Sequence, residues 1–287
     1  MLGILTFPYQ PAFMNNAILE RNNVRVIGQG TTTLLFAHGF GCDQTMWRFV
    51  TPKFQDTYKI VLFDYVGSGK SDLAFYDIER YSSFNGYAQD IIDVCNALSL
   101  SNVVLVAHSV SCMIGVMASI NLPGIFKSMV LIAPSARYIN EEGYTGGFKL
   151  KDIDAVIDTM ENNYAGWASL IAPVIMKNAE QRPELVNELE DRFCDNDHEV
   201  NKRFARLTFY SDSRHELLKV AIPTLILQCS EDAIAPETAG VYIYENITGS
   251  QYIKMQAIGH CPHMSYPEET VKHIQEYLTS QEIAGII

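Results

Sequence analysis

Ser109, Asp232 and His260 are residues whose types and placement could do chemistry together: a hydroxyl, a carboxylate and an imidazole, each just beyond an apolar run. A serine hydroxyl is a weak nucleophile until a base takes its proton, and the base works best when a third group orients it. Such a set could attack a carbonyl carbon and transfer an acyl group. Ser109 lies in Val103-Val104-Leu105-Val106-Ala107-His108-Ser109-Val110-Ser111-Cys112-Met113. The mostly β-branched run before it reads as a buried strand, and Met113 to Ile120 continues with helix-compatible spacing. The serine then stands at a strand-to-helix turn, a nucleophile elbow, where the helix N-terminus aims N–H groups at an oxyanion formed beside the hydroxyl. Ala107 and Ser111 are small enough for that turn although neither is glycine. The competing reading of Ser109 is a plain helix N-cap.

Seven histidines are available as the base. His38 and His108 stand at strand ends where they could face the site, whereas His198, His215 and His273 lie on polar helical stretches and read as solvated. His260 falls in Ala257-Ile258-Gly259-His260-Cys261-Pro262-His263, just after the last strand. A loop there can carry an imidazole over the C-terminal edge of the sheet, where ligands of open α/β sheets bind. His263 shares the neighbourhood, but Pro262 directs it elsewhere. For the acid, Glu231 and Asp232 follow the run Leu225 to Gln228 side by side, and spacing does not decide between them. Pro236 fixes a helix start and leaves Asp232 on the intervening loop. In His38-Gly39-Phe40-Gly41-Cys42 two glycines let the backbone approach a ligand, so the N–H of Phe40 can join that of Val110 as an oxyanion hole. An ordinary glycine turn is the alternative.

Strand and helix signals alternate along the chain, which predicts an α/β layer fold with a mostly parallel sheet. Strands are expected at 24–27, 33–37, 59–63, 102–107, 127–132, 224–228 and 252–256, with helices at 46–54, 84–98, 110–122, 236–244 and 267–278 between them. The alternation breaks at Tyr138 to Arg214, where four stretches with helical apolar spacing (150–162, 164–177, 183–193 and 197–209) read as a helical lid. Of its aromatics Tyr144, Phe148, Tyr164, Trp167, Phe193, Phe204, Phe209 and Tyr210, most are expected to be core. The pocket candidates are His108, Tyr138, Phe148, Trp167, Phe193 and Phe204.

At 287 residues the chain can bury a sizeable core without disulfides. Its six cysteines show no C-x-x-C pair, and Cys95, Cys112 and Cys229 fall in apolar stretches, as reduced thiols would; a cytoplasmic location follows. The formal net charge of −12 argues against nucleic-acid or anionic-membrane partners. No apolar run approaches the roughly 20 residues that span a bilayer. Val66-Gly67-Ser68-Gly69-Lys70-Ser71 imitates the tail of a phosphate-binding loop, yet Asp64 stands where glycine is needed and no helix starts at Lys70. No cofactor or metal is expected.

The segments Phe40-Gly41-Cys42-Asp43-Gln44, Phe63-Asp64-Tyr65-Val66-Gly67-Ser68-Gly69, His108-Ser109-Val110-Ser111, Asn163-Tyr164-Ala165-Gly166-Trp167-Ala168, Leu227-Gln228-Cys229 and Gly259-His260-Cys261-Pro262-His263-Met264-Ser265 resemble the α/β-hydrolases. Within them the chain is most similar to the bacterial sigma-B stress-pathway hydrolase and the plant strigolactone and karrikin receptors. The resemblance runs from about Asn16 onward. It implies the α/β-hydrolase fold, a Ser109, Asp232 and His260 triad (so Asp232 rather than Glu231), oxyanion amides at Phe40 and Val110, and a four-helix cap over a hydrophobic cavity. The expected division is a core of 16–135 and 216–287, a cap of 136–215, and an N-terminal extension of 1–15, read as disordered or a misassigned start. Hydrolysis of a small apolar ester or lactone is the implied activity, and the alternative is a ligand-sensing module read by a partner. The bacterial branch implies a stress-signalling role with a PAS-domain phosphatase or another signalling protein as partner.

Overall fold

Uninterrupted apolar runs form the centre of the sheet: β2 (Thr33–Ala37), β3 (Lys59–Leu62), β4 (Val103–His108), β5 (Phe126–Ile132) and β6 (Thr224–Gln228), with nearly every residue buried. Burial on both faces is what a parallel sheet covered by helices requires. The short and more exposed β1 (Arg25–Ile27) and β7 (Gln251–Lys254) close the two edges. The strand order is β1-β3-β2-β4-β5-β6-β7, with β1 antiparallel to β3 and every other pair parallel. This computed structural model describes residues 11–178 and 180–287. The sheet and its covering helices form the α/β layer architecture with a mostly parallel sheet that the alternation of elements predicts.

The helices are α1 (Pro11–Arg21), α2 (Phe84–Ala97), α3 (Val110–Asn121), α4 (Leu150–Asn162), α5 (Tyr164–Met176), α6 (Pro183–Asp195), α7 (His198–Tyr210), α8 (Glu237–Asn246), α9 (Pro262–Ser265) and α10 (Pro267–Ile283). Strand alternation sends Leu35, Leu105 and Leu131 to the face covered by α2 and α3, and Leu34, Val104 and Leu225 to the face covered by Trp47, Phe54 and α10. A third core joins α4 to α7, through Ile153, Ile157, Leu185 and Leu189, to Cys42, Met46, Cys261 and Met264. Those last four sit in the loops and short helices that follow β2 and β7, so the helical layer packs over the end of the sheet where Ser109 emerges.

One expectation is corrected and another lies largely outside the described residues. The predicted helix at 46–54 is instead a pair of short 3-10 runs, Gln44–Phe49 and Thr51–Lys53, because Pro52 brings no N–H and disfavours the turn before it. The expected extension at 1–15 lies outside the described residues over 1–10, while 11–15 belong to α1. That helix is tied down at its end: Arg21 is paired with the fully buried Asp90 and with Asp93, 2.8 Å away, and its carbonyl accepts from Asp72 N–H.

Candidate active site

Ser109 follows the last residue of β4 and precedes the first of α3, with φ 57° and ψ −124°. A non-glycine residue in that region costs on the order of 1–3 kcal/mol, so surrounding bonds must hold it there. Its N–H donates to Ile132 O at 2.9 Å, and its carbonyl accepts from Cys112 N–H at 2.9 Å. Ser111, two residues on, donates to the His38 carbonyl and lies 3.0 Å from the Tyr65 hydroxyl, which joins the elbow to the ends of β2 and β3.

His260 approaches from the loop after β7. Its Nε2 is 2.6 Å from Ser109 Oγ and its Nδ1 is 2.7 Å from Asp232 Oδ2. A carboxylate only accepts, so Nδ1–H donates to Asp232 and Nε2 is left to accept the serine proton. Asp232 is fixed in turn by the N–H groups of Ile234 and Ala235, which donate to its other oxygen at 2.8 and 3.0 Å. Gly259 makes the approach possible: its φ is +81°, and a Cβ there would stand 2.4 Å from the Met176 carbonyl at the end of α5. The serine, aspartate and histidine named from the sequence are thus brought together.

The other candidates are distributed by local bonding. His38 is buried and turned from the site: Nδ1–H donates to Gly39 O at 2.9 Å, and Nε2 accepts from Tyr65 N–H at 3.2 Å. His263 lies between the rings of Trp47 and His108, at 4.5 and 4.4 Å, and neither of its nitrogens has a partner. Burial, with the His260 and Arg48 charges adding to it, pushes its pKa down to about 3. Gly39 runs hard against the elbow, since a Cβ there would be 2.5 Å from His108 Nδ1 and 3.5 Å from Ser109 Cβ. This brings the Phe40 loop to the serine. Among the described residues, no protein acceptor takes the Phe40 or Val110 N–H.

A cavity opens above Ser109. Of the predicted wall residues, His108, Tyr138, Trp167 and Phe193 line it, while Phe148 and Phe204 do not. Phe204 is drawn down to stack on Tyr87 at 4.2 Å, and Phe148 packs edge-on behind Phe209 at 6.4 Å. Phe209 itself lines the cavity, as do Ile171 and Ile175. Trp167, Ile171 and Ile175 are spaced i, i+4, i+8, so the face of α5 that forms the wall was present in the sequence as a helical stripe. Counting its mouth, the cavity has about 540 Å³ of unfilled space, but the centre of a water molecule can occupy only about 40 Å³ of it. Its lining includes no Lys, Arg, Asp or Glu. Among the described residues no cluster of three or more His, Cys, Asp or Glu could hold a metal, and no helix is long and apolar enough to cross a membrane.

The family model for the alpha/beta hydrolase family matches residues 34–273. A karrikin insensitive 2 receptor of Petunia hybrida is 34% identical over 253 residues, 88% of this chain and 93% of that protein. A strigolactone esterase of Arabidopsis thaliana is 34% identical over 262 residues, 91% of this chain and 97% of that protein. Among solved structures, a hydrolase from Oleispira antarctica superposes with a TM-score of 0.90 at 40% identity, covering 92% of this chain and 97% of that one.

Proposed function

Because the chain belongs to the alpha/beta hydrolase family, we propose that it hydrolyses a small apolar ester or lactone, with Ser109 as nucleophile, His260 as base and Asp232 as the orienting acid. The observation that carries this reading is the continuous relay of 2.6 and 2.7 Å from Ser109 Oγ through His260 to Asp232, at the floor of an apolar cavity. Ser109 Oγ attacks the carbonyl carbon as His260 Nε2 takes its proton. The tetrahedral oxyanion accepts from the Val110 and Phe40 N–H groups; one such donor is worth about 2.7–4 kcal/mol in the transition state. Collapse breaks the ester C–O bond, and His260 returns the proton to the leaving oxygen, which in a lactone stays tethered as a hydroxyl. Water activated by His260 then frees the serine. The helices α4 to α7 act as a cap that keeps bulk water from the acyl-enzyme. The test is a serine-reactive phosphonate: it should label Ser109 and no other residue, and Ser109→Ala should abolish both labelling and turnover. Labelling elsewhere overturns the assignment.

A second reading, favoured by similarity to a protein named as a receptor, makes this turnover or ligand binding a signal. A cytoplasmic protein partner, of the PAS-domain phosphatase kind or another signalling protein, would read it. The readings separate in cells: if Ser109→Ala keeps partner binding and loses output, hydrolysis is the signal, and if output survives, occupancy is.

A further inference from the structure

The peptide of His260 belongs to neither β7 nor α9, so no strand ladder or helix of its own supplies its hydrogen-bond partners. Three other parts of the molecule do. Its N–H donates to the Ile175 carbonyl in the last turn of α5 at 2.7 Å, and the preceding Gly259 N–H donates to the Glu231 carbonyl at 2.8 Å. The carbonyl of His260 lies 2.8 Å from His108 Nε2. Only this third bond comes from a side chain.

We propose that His108 is a positioning residue, its Nε2–H holding the main-chain carbonyl of His260 so that the His260 imidazole stays within reach of Ser109 Oγ. This inference rests on the reading of Ser109 and His260 given above. A carbonyl accepts and never donates, so the bond requires the proton on Nε2 of His108. The opposite nitrogen, Nδ1, has no partner and is walled in by Gly39. A proton there would find no acceptor, and the His263 and His260 rings stand 4.4 and 5.1 Å away. His108 therefore works as a fixed neutral donor. Burial, reinforced by those neighbouring imidazoles, keeps its pKa well below the ordinary histidine value.

Its place in the chain makes the clamp short. His108 is the last residue of β4 and Ser109 is the next, so a single strand end carries both the nucleophile and the group that fixes the base. The elbow and the base loop, 151 residues apart in sequence, are tied side chain to side chain through His260 Nε2 and side chain to backbone through His108. Removing the second tie leaves the His260 carbonyl unanchored, so that the base loop is held by its main-chain bonds to Ile175 and Glu231 and by the imidazole's own bonds to Ser109 and Asp232.

The test uses the full chain with p-nitrophenyl acetate. Misplacement of a reacting group by about 1 Å costs on the order of 100-fold in rate, so His108→Met, which fills the space without a donor, should lower kcat about 10- to 100-fold. KM should stay within about twofold, and phosphonate labelling of Ser109 should slow in step with kcat. The downfield proton signal of the His260–Asp232 bond should broaden in the same variant. His108→Gln, whose amide N–H reaches about as far as Nε2, should recover most of the lost kcat. If His108→Met does not fold, His108→Asn, whose amide stops short of the His260 carbonyl, takes its place. Wild-type kcat in the donorless variant, a loss confined to KM, or equal losses in folded Met and Gln variants would each overturn the positioning role. Failure of Ser109 to be labelled in the wild-type protein would instead overturn the triad reading on which it rests.

Discussion

Glu231 and Asp232 are adjacent in the chain and face opposite ways. The Asp232 side chain is 0% exposed and accepts His260 Nδ1–H at 2.7 Å, whereas that of Glu231 is 61% exposed and pairs with Lys177 across the surface. Both lie beyond β6, where Glu231 forms an isolated bridge with Ile258, and of the two acids only Asp232 is turned to the base.

Asp232→Asn should therefore lower kcat by about 10⁴, because an amide cannot hold His260 in the tautomer that accepts the serine proton. Glu231→Gln should change kcat less than about twofold, since it loses only an exposed ion pair. Steady-state kinetics of the two variants decide the matter. A reversed pattern would assign the acid to Glu231.

Backbone strain at Ser109 gives a stability test independent of activity. Alanine at this position keeps a Cβ at φ 57°, while glycine adopts that region without penalty. Ser109→Gly should thus be more stable than Ser109→Ala by about 1 kcal/mol, once part of the strain is offset by glycine's greater unfolded-state entropy. Urea unfolding of both variants measures the difference. A less stable glycine variant would mean that the turn is unstrained.

Acid should unfold the protein partly through its buried histidines. The pKa of His263 is pushed down to about 3, chiefly by burial, and burial also lowers those of His38 and His108. Between about 6.5, the unfolded value, and the folded value, only the unfolded chain binds the proton. For His263 the stability contributed by the neutral ring is complete above about 6.5 and is lost as pH falls toward 3, at about 1.4 kcal/mol per pH unit, and His38 and His108 act in the same direction. His263→Phe, which removes two unpartnered nitrogens, should flatten the fall between pH 6 and 4 by one proton's worth. An unchanged slope in urea titrations would show that His263 takes up its proton in the native state.

Acyl-chain preference should follow from the width of the cavity. Each methylene that fits contributes about 0.8 kcal/mol, and one that does not fit reverses the gain. With room for the centre of a water molecule limited to about 40 Å³, kcat/KM for p-nitrophenyl esters should peak at short acyl chains. Ile171→Ala, which cuts back the α5 wall, should shift the peak to longer chains. A wild-type optimum at long chains would contradict the reading of this cavity as the acyl site.

The parts of this protein legible in its sequence are those written in local pattern. Central strands such as Thr33–Ala37 and Thr224–Gln228 appear at their expected bounds, because parallel strands buried on both faces leave continuous apolar runs. Ser109 was nameable because it follows such a run and His260 because it follows the last strand, whereas spacing left Asp232 and Glu231 open and the family resemblance chose between them. Pairing was less legible. Nothing local in Phe204 says that Tyr87, on another helix, will draw its ring out of the cavity wall. The end of α1 was equally hidden, since Arg21 is held by Asp90 and Asp93, about seventy residues away in sequence. Four-residue α9 is too short to show a helical period, although Pro262 at its first position marks its start.

The bond from His260 to α5 uses the main-chain carbonyl of Ile175, which any amino acid at that position would supply equally. Replacing Ile175 can therefore reshape the wall without unseating the base. Changing the length of the helix cannot, since each inserted or deleted residue turns its end by about 100° and moves it 1.5 Å along the axis. The helical layer is accordingly free to be recoloured one substitution at a time for new ligands and is intolerant of indels near Pro173 to Met176. A layer transplanted from another hydrolase would serve here only if its second helix ended in the same rotational phase.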